Sequence, residues 1–391
     1  MSDAGVPVWR ATLAGLCASL IGIGLARFAY TPLIPVLIRA GWFSPALAAY
    51  IGAANFAGYL AGALAARWLA RVLPPRPLLR GMMVLASLAF FACSTPVWLV
   101  WFFAWRFLAG VAGGVLMVLA APSILPFVPV RRRGITIGAI FTGVGLGIAA
   151  SGTLLPLLLQ FGVGAVWLGL GTLSALLTAL SWGGFPRAAP PPPSASSGAG
   201  RAGFALLAVI VAYGLNAVAL VPHMVFLVDY VARGLDRGID AGATIWVAFG
   251  LGALVGPTAA GALADRIGFR ISLRLAFLVQ LGAVALVLVS TATPVLLLSA
   301  AVAGAYAPAV AAIMLGRVNT LTVPGSDAAR AGWSWATTAW AVGQTIGAYG
   351  FSYVFAHTGD YAYLFGSGCA LLALALGSDF VADYSSTRSS R

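Results

Sequence analysis

Two arginines sit where a charge is costly. Arg27 lies inside an apolar run at 9–38, and Arg106 inside another at 97–120. At the centre of a bilayer-spanning segment such a charge costs about 2.5–3.5 kcal/mol on insertion scales, so each should face a cavity or a partner. On a helix, Arg27 shares a face with Tyr30, Thr31 and Ile34, and Arg106 with Gly110, Gly113 and Met117. Snorkelling to a headgroup is the competing account, stronger for Arg27 than for Arg106. No Asp or Glu occurs between Asp3 and Asp229. Guanidinium binds carboxylate or phosphate through paired N–H donors. The chemistry expected here is recognition of an organic anion, a small carboxylate first.

A second set of polar residues follows the midpoint. Tyr213, Asn216 and His223 recur at i, i+3 and i+10, which predicts one helical face. Pro222 should locally unwind that helix and free carbonyls. His223 titrates near neutrality in water and is a candidate proton carrier, with a hydrogen-bonded structural histidine as the equal alternative. Further on, Trp333, Thr337, Trp340, Gln344 and Gly347 make a stripe at helical spacing. Packing is its ordinary meaning, yet the Gln344 amide in mid-segment needs a partner. Asn55, Tyr59 and Gly62 form a comparable face near the start of the chain. Asp229 should pair with Arg233 near a surface, and His357 should be interfacial. Gly143, Gly145 and Gly147 imitate a nucleotide loop, but no strand precedes them, so close helix packing is the better reading. Cys17, Cys93 and Cys369 fall in apolar runs without disulfide or metal spacing. No cofactor and no metal are expected.

The elements that must hold these residues follow from composition. Of 391 residues, 61% are hydrophobic and 8% charged, and the mean hydropathy is +0.99. Soluble domains carry about 25% charged residues, so a water-soluble globule, a disordered chain and a fibre are all excluded. Apolar runs fall at 9–38, 46–69, 78–95, 97–120, 134–158 and 163–183, then at 203–231, 241–263, 272–290, 294–316, 330–356 and 361–382. Each suits a bilayer-spanning helix of about 20 residues. Their continuity argues against a barrel, whose strands alternate over about ten residues. The Pro/Ser/Gly-rich stretch 184–202 reads as a linker between an N-terminal bundle, 1–183, and a C-terminal bundle, 203–391. The first 30 residues do not read as a cleaved signal.

All 22 basic residues are Arg and all nine acids Asp, for a net charge of +13. A pI near 10.5 would suggest nucleic acid in a soluble protein. Here 17 arginines fall on one side of the predicted spans and three, Arg39, Arg233 and Arg237, on the other. The positive-inside rule then puts both termini and the linker in the cytoplasm. Gly62–Arg67 and Gly261–Arg266 match at five of six positions, 199 residues apart, which suggests duplication.

Twelve spans in two halves resemble the major facilitator superfamily, and local motifs agree. The superfamily's turn motif between its second and third helices is matched in the second half by Gly261-x-x-x-Asp265-Arg266-x-Gly268-x-Arg270. The first-half copy is degraded, with Ala66 in place of the acid. Arg106-Phe107-Leu108-x-Gly110 resembles the fourth-helix motif, and Gly24–Pro35 is similar to the YbfB/YjiJ-type branch. The resemblance implies an all-α, twelve-helix secondary transporter of two pseudo-symmetric bundles, not an enzyme, that alternates access about a midplane site. It also links Arg106 to proton coupling or substrate contact, and would place it in a central cavity. Asp265, Arg266 and Arg270, with Gly261 and Gly268, become a candidate cytoplasmic gate. The expected substrate set is Arg27, Tyr30, Asn55, Tyr59, Arg106, Tyr213, Asn216, His223, Trp340 and Gln344, with Arg106 and His223 coupling transport to protons. The expected cargo is a small organic anion, moved across the inner membrane by a monomer. An exporter of amphipathic drugs and a facilitator or anion exchanger are the alternatives.

Overall fold

A segment in hydrocarbon must satisfy its backbone internally, and an Ala-, Leu- and Gly-rich run does so as a helix. The computed structural model describes residues 6–187, other than 31, 32, 34, 35, 38, 39 and 96, together with 199–387. Thr31, Ile34, Pro35, Arg39 and most of the Pro/Ser linker therefore lie outside the described residues. So do the side chains of Asp229 and Arg233. The described chain is helix and turn without a strand, and it divides into two compact units at Pro191/Pro192.

Unit 1 holds α1 (Val8–Leu25), α2 (Pro45–Val72), α3 (Pro75–Ala92), α4 (Leu99–Ile124), α5 (Arg133–Leu159) and α6 (Val163–Ser181). The last six residues of α1, Leu20–Leu25, form a π turn. Ser44 caps α2 by accepting from the Leu47 N–H at 3.4 Å. The buried centre of the unit is aromatic. Trp167 of α6 meets Phe102 of α4 edge-on at 5.4 Å, with Tyr30 at 6.4 Å and Phe90 of α3 at 6.3 Å. Such pairs add about 0.5–1.5 kcal/mol each beyond the area they bury.

Unit 2 holds α7 (from Ala199), α8 (Gly238–Ile267), α9 (Phe269–Val289), α10 (Thr293–Leu321), α11 (Asp327–Thr358) and α12 (Tyr361–Thr387). Pro222 does not unwind α7. Lacking an N–H, it widens the helix into a π turn, Pro222–Phe226, and a second π turn closes the segment at Tyr230–Gly234. Ser326 caps α11, accepting from the Ala329 N–H at 3.0 Å. Among the described residues, nine of the twelve helices have the length and apolarity to cross a membrane; α2, α3 and α11 are the others. Several helices outrun their apolar stretches. Arg317, placed in a loop by the sequence pattern, is buried within α10.

Each unit has a close crossing between its second and fourth helices. A Cβ on Gly58, Gly62 or Gly110 would strike the carbonyls of Phe107, Val111 and Asn55, so α2 and α4 touch backbone to backbone. In unit 2, Gly252, Gly256 and Gly304 stand in the same relation to Ala301, Ala305 and Phe249, across α8 and α10. Every residue in the second set is the first set's number plus 194. The duplication is therefore real in packing, but its register is 194 and not 199. Gly62 corresponds to Gly256, not Gly261, and the position equivalent to Asp265 is Arg71, not Ala66. The match at 199 came from Ala/Leu composition near two helix ends.

Candidate functional site

In unit 1 the expected residues come together. Arg106 is 2% exposed, and its Nη2 donates to the carbonyl of Ala26, the residue that follows α1, at 2.7 Å. Its guanidinium lies 4.7 Å from the Tyr30 ring centre and 5.9 Å from that of Trp167. Asn55 Nδ2 donates to the Arg106 carbonyl at 3.1 Å, tying α2 to α4 beside the glycine crossing. Arg27 is half-buried, 4.6 Å over Phe56, 5.4 Å over Phe28 and 5.8 Å over Tyr59. The two cations thus flank the α1–α2–α4 contact in different ways. Arg27 reaches the surface of its unit. Arg106 does not: it is enclosed by aromatic rings, which corrects the expectation of an Arg106 side chain lining an open cavity. The Arg106 Nε and the nearby Trp167 Nε1 are buried without hydrogen-bond partners. Cation–π contact and one carbonyl stand where a carboxylate would usually be.

Unit 2 separates residues that helical spacing had put on one face. Tyr213 stacks on Trp340 of α11 at 4.7 Å. Asn216 Nδ2 donates instead to Gln280 Oε1 of α9, at 3.0 Å, and Gln280 Nε2 donates to the Ala276 carbonyl at 3.2 Å. His223 turns toward α10 and α12. Its Nε2 lies 2.8 Å from Ser299 Oγ, and its ring meets Phe365 edge-on at 5.3 Å. Ser299 Oγ lies 2.6 Å from the Ala283 carbonyl, which can only accept. The single hydroxyl proton is committed there, so His223 Nε2 must carry the proton it shares with Ser299. Its Nδ1 is then a buried lone pair without a partner. Gln344 Nε2 donates to the Ala217 carbonyl at 2.8 Å, clasping α11 to α7. The three α7 side chains do not share one pocket: Tyr213 faces α11, Asn216 faces α9 and His223 faces α10. The wide turn at Pro222 and an i+10 spacing that only loosely fits the helical repeat account for the difference.

Asp265 and Arg266 end α8, Arg270 begins α9, and Gly268 joins them with φ at 85°, a conformation that a side chain would strain. The motif's glycine is thus explained by backbone geometry. Sequence reasoning missed Gln280, Ser299 and Asp379. Each is one polar residue in an apolar run, and the argument applied to Gln344 would have found Gln280. His357 is exposed at the end of α11, with Nδ1 2.8 Å from the Tyr353 carbonyl. The three cysteines are free, and the described residues contain no cluster able to hold a metal.

Two units of six helices, nine of the twelve long and apolar enough among the described residues to cross a membrane, each unit knotted by a glycine crossing and carrying polar side chains inside, belong to a multi-pass transporter of the major facilitator superfamily. The particular family follows from a family model described as "Uncharacterised MFS-type transporter YbfB", which matches residues 19–379; the chain belongs to that family. Solved structures share the fold. A proton:xylose symporter, XylE, bound to 6-bromo-6-deoxy-D-glucose superposes with a TM-score of 0.74 at 13% identity, covering 94% of each chain. The fucose:proton symporter FucP of E. coli gives 0.72 at 13%, covering 95% of this chain and 98% of that one. A bacterial homologue of the iron transporter ferroportin, in an outward-facing state, gives 0.72 at 15%, covering 97% and 100%. No curated protein matches this chain significantly.

Proposed function

We propose that the protein is a secondary transporter for a small organic anion, a carboxylate first, working by alternating access in the inner membrane as a monomer with both termini cytoplasmic. The observation that carries this reading is Arg106: a fully enclosed guanidinium in a unit with no acidic residue between Asp3 and Asp229. Its field is left to be answered by cargo. Arg27, over Phe56 and Tyr59, is the cation within reach of solvent and makes the direct contact. At an effective dielectric near 20, an anion about 4 Å away gains about 4 kcal/mol before its own desolvation is counted. Tyr30, Asn55 and Tyr59 surround the two cations in unit 1; in unit 2 Tyr213, Asn216, Trp340 and Gln344 remain proposed substrate residues that a rearrangement of their helices has to expose, since each is buried on a partner within its own unit.

Coupling to protons is assigned to Arg106 and His223, whose Nδ1 offers an empty acceptor. The gate is assigned to Gly261, Asp265, Arg266, Gly268 and Arg270. Counterflow in proteoliposomes tests the cargo. Inhibition by a panel of small carboxylates, with indifference to amphipathic cations, supports the reading. Inhibition by the cations alone overturns it in favour of a drug exporter. Uptake unaffected by an imposed proton gradient points to a facilitator or exchanger.

A further inference from the structure

The surface of unit 1 carries a groove that the transport reading does not use. α3 supplies Val84, Ser87, Leu88 and Phe91, and α6 supplies Ala175, Thr178, Ala179 and Trp182, around a volume of 470 Å³. Both sets follow i, i+3, i+4, i+7, so each helix offers one straight stripe. The two hydroxyls are spent inside their own helices, Ser87 on the Met83 carbonyl and Thr178 on the Ser174 carbonyl. The groove is therefore apolar in effect. Leu176 and Leu180 continue the exposed apolar surface of α6.

One end of this groove is strongly cationic. Arg80 lies 4.6 Å over the Trp182 ring and donates to the Trp182 carbonyl. Arg76 and Arg187 stand close enough to repel its charge. The Nε atoms of Arg76 and Arg80 are buried without hydrogen-bond partners. The second unit shows what is missing. Arg274, which is Arg80 plus 194, likewise reaches from the start of its helix to the end of α12, and it stands 4.1 Å over the Phe380 ring. There Asp379 Oδ2 meets its Nε at 2.7 Å. One copy of the repeat has its own carboxylate, and the other has three arginines and, among the described residues, none.

We infer that the α3–α6 groove is a binding site for one anionic phospholipid, its phosphate held by Arg76, Arg80 and Arg187 and part of an acyl chain lying between α3 and α6. The charge missing from the repeat is supplied by the membrane. Anionic headgroups attract basic residues at the bilayer surface and lose hold as salt rises.

The test is native mass spectrometry of the full chain in detergent, with dioleoyl-phosphatidylglycerol, dioleoyl-phosphatidylcholine and glycerol phosphate as probes. The wild type should retain phosphatidylglycerol over phosphatidylcholine, and R76Q/R80Q should retain roughly tenfold less. R131Q/R132Q, which removes equal charge from another exposed turn, should retain it as the wild type does. Ala179→Trp fills the groove without touching a charge and should also lower retention, which keeps the test open if the arginine variant does not fold. Equal retention of both lipids, loss in R131Q/R132Q equal to that in R76Q/R80Q, full retention in Ala179→Trp, or glycerol phosphate binding as tightly as the lipid would each overturn the proposal. Phosphatidylglycerol retention does not depend on the cargo, so failure here leaves the anion-transport reading standing.

Discussion

The Arg106 guanidinium has an aromatic ring on two sides, a backbone carbonyl at one nitrogen and no carboxylate among the described residues of its unit. Burying a charge this way costs several kcal/mol, and cation–π contacts return only about 0.5–2 each. A residue kept at that cost serves activity more than stability. Arg106→Met should therefore melt no lower than the wild type, and up to about 4 kcal/mol more stably, while uptake collapses. A lower melting temperature would mean that the guanidinium is a strut between α1 and α4. His223 poses the converse question. Gln at this position can still donate to Ser299 but cannot hold a second proton. His223→Gln should keep the fold and flatten the dependence of uptake on pH; an unchanged profile would make His223 structural only. Arg27, Arg106, His223 and Gln344 were legible from sequence because each is a polar group in an apolar run. Where they point was not, since direction depends on which neighbouring helix presents a partner, such as Ser299 or the Ala217 carbonyl.

At the scale of elements, the glycine crossings carry the fold. Gly58→Ala and Gly252→Ala each drive a methyl into a carbonyl of the partner helix and should each cost about 1–3 kcal/mol or more, by thermal melting in detergent. Gly81→Ala and Gly282→Ala meet nothing within 4 Å and should gain up to about 1 kcal/mol from helix propensity. Equal effects at the two kinds of site would remove the crossings as the organising contact. The twelve helices themselves were readable from apolar run lengths, because the bilayer allows few other solutions. The repeat register was not readable, because it is written in where glycines face a backbone, and local Ala/Leu matches obscure it. The π turns of α1 and α7 left no pattern either, since a widened turn shifts the helical face without altering composition.

For the whole molecule, the sequence places a cluster of charges at the α8–α9 turn, and Asp265 is the acid among them. If that turn gates the conformational cycle, Asp265→Asn should change the transport rate severalfold with normal amounts of protein in the membrane; an unchanged rate would reduce the turn to a topological signal. The asymmetry between the halves belongs to this scale as well. Asp379 answers Arg274 in one, and no acid among the described residues answers Arg80 in the other, so a duplicated scaffold has diverged in charge while retaining its contacts.

The two crossings also bear on how such a molecule moves. Where α2 meets α4, and α8 meets α10, the nearest approach is main chain to main chain, with no side chain between them to change rotamer and act as a lubricant. Each pair is thus a stiff girder, and sliding within it would require prying apart two backbones at once. Flexing must be concentrated elsewhere; the broadened turn Leu20–Leu25 is itself held main chain to main chain, Gly22 against Gly113 and Gly24 against Gly147, which leaves the turn at Pro222–Phe226 in unit 2 as the joint the chain provides.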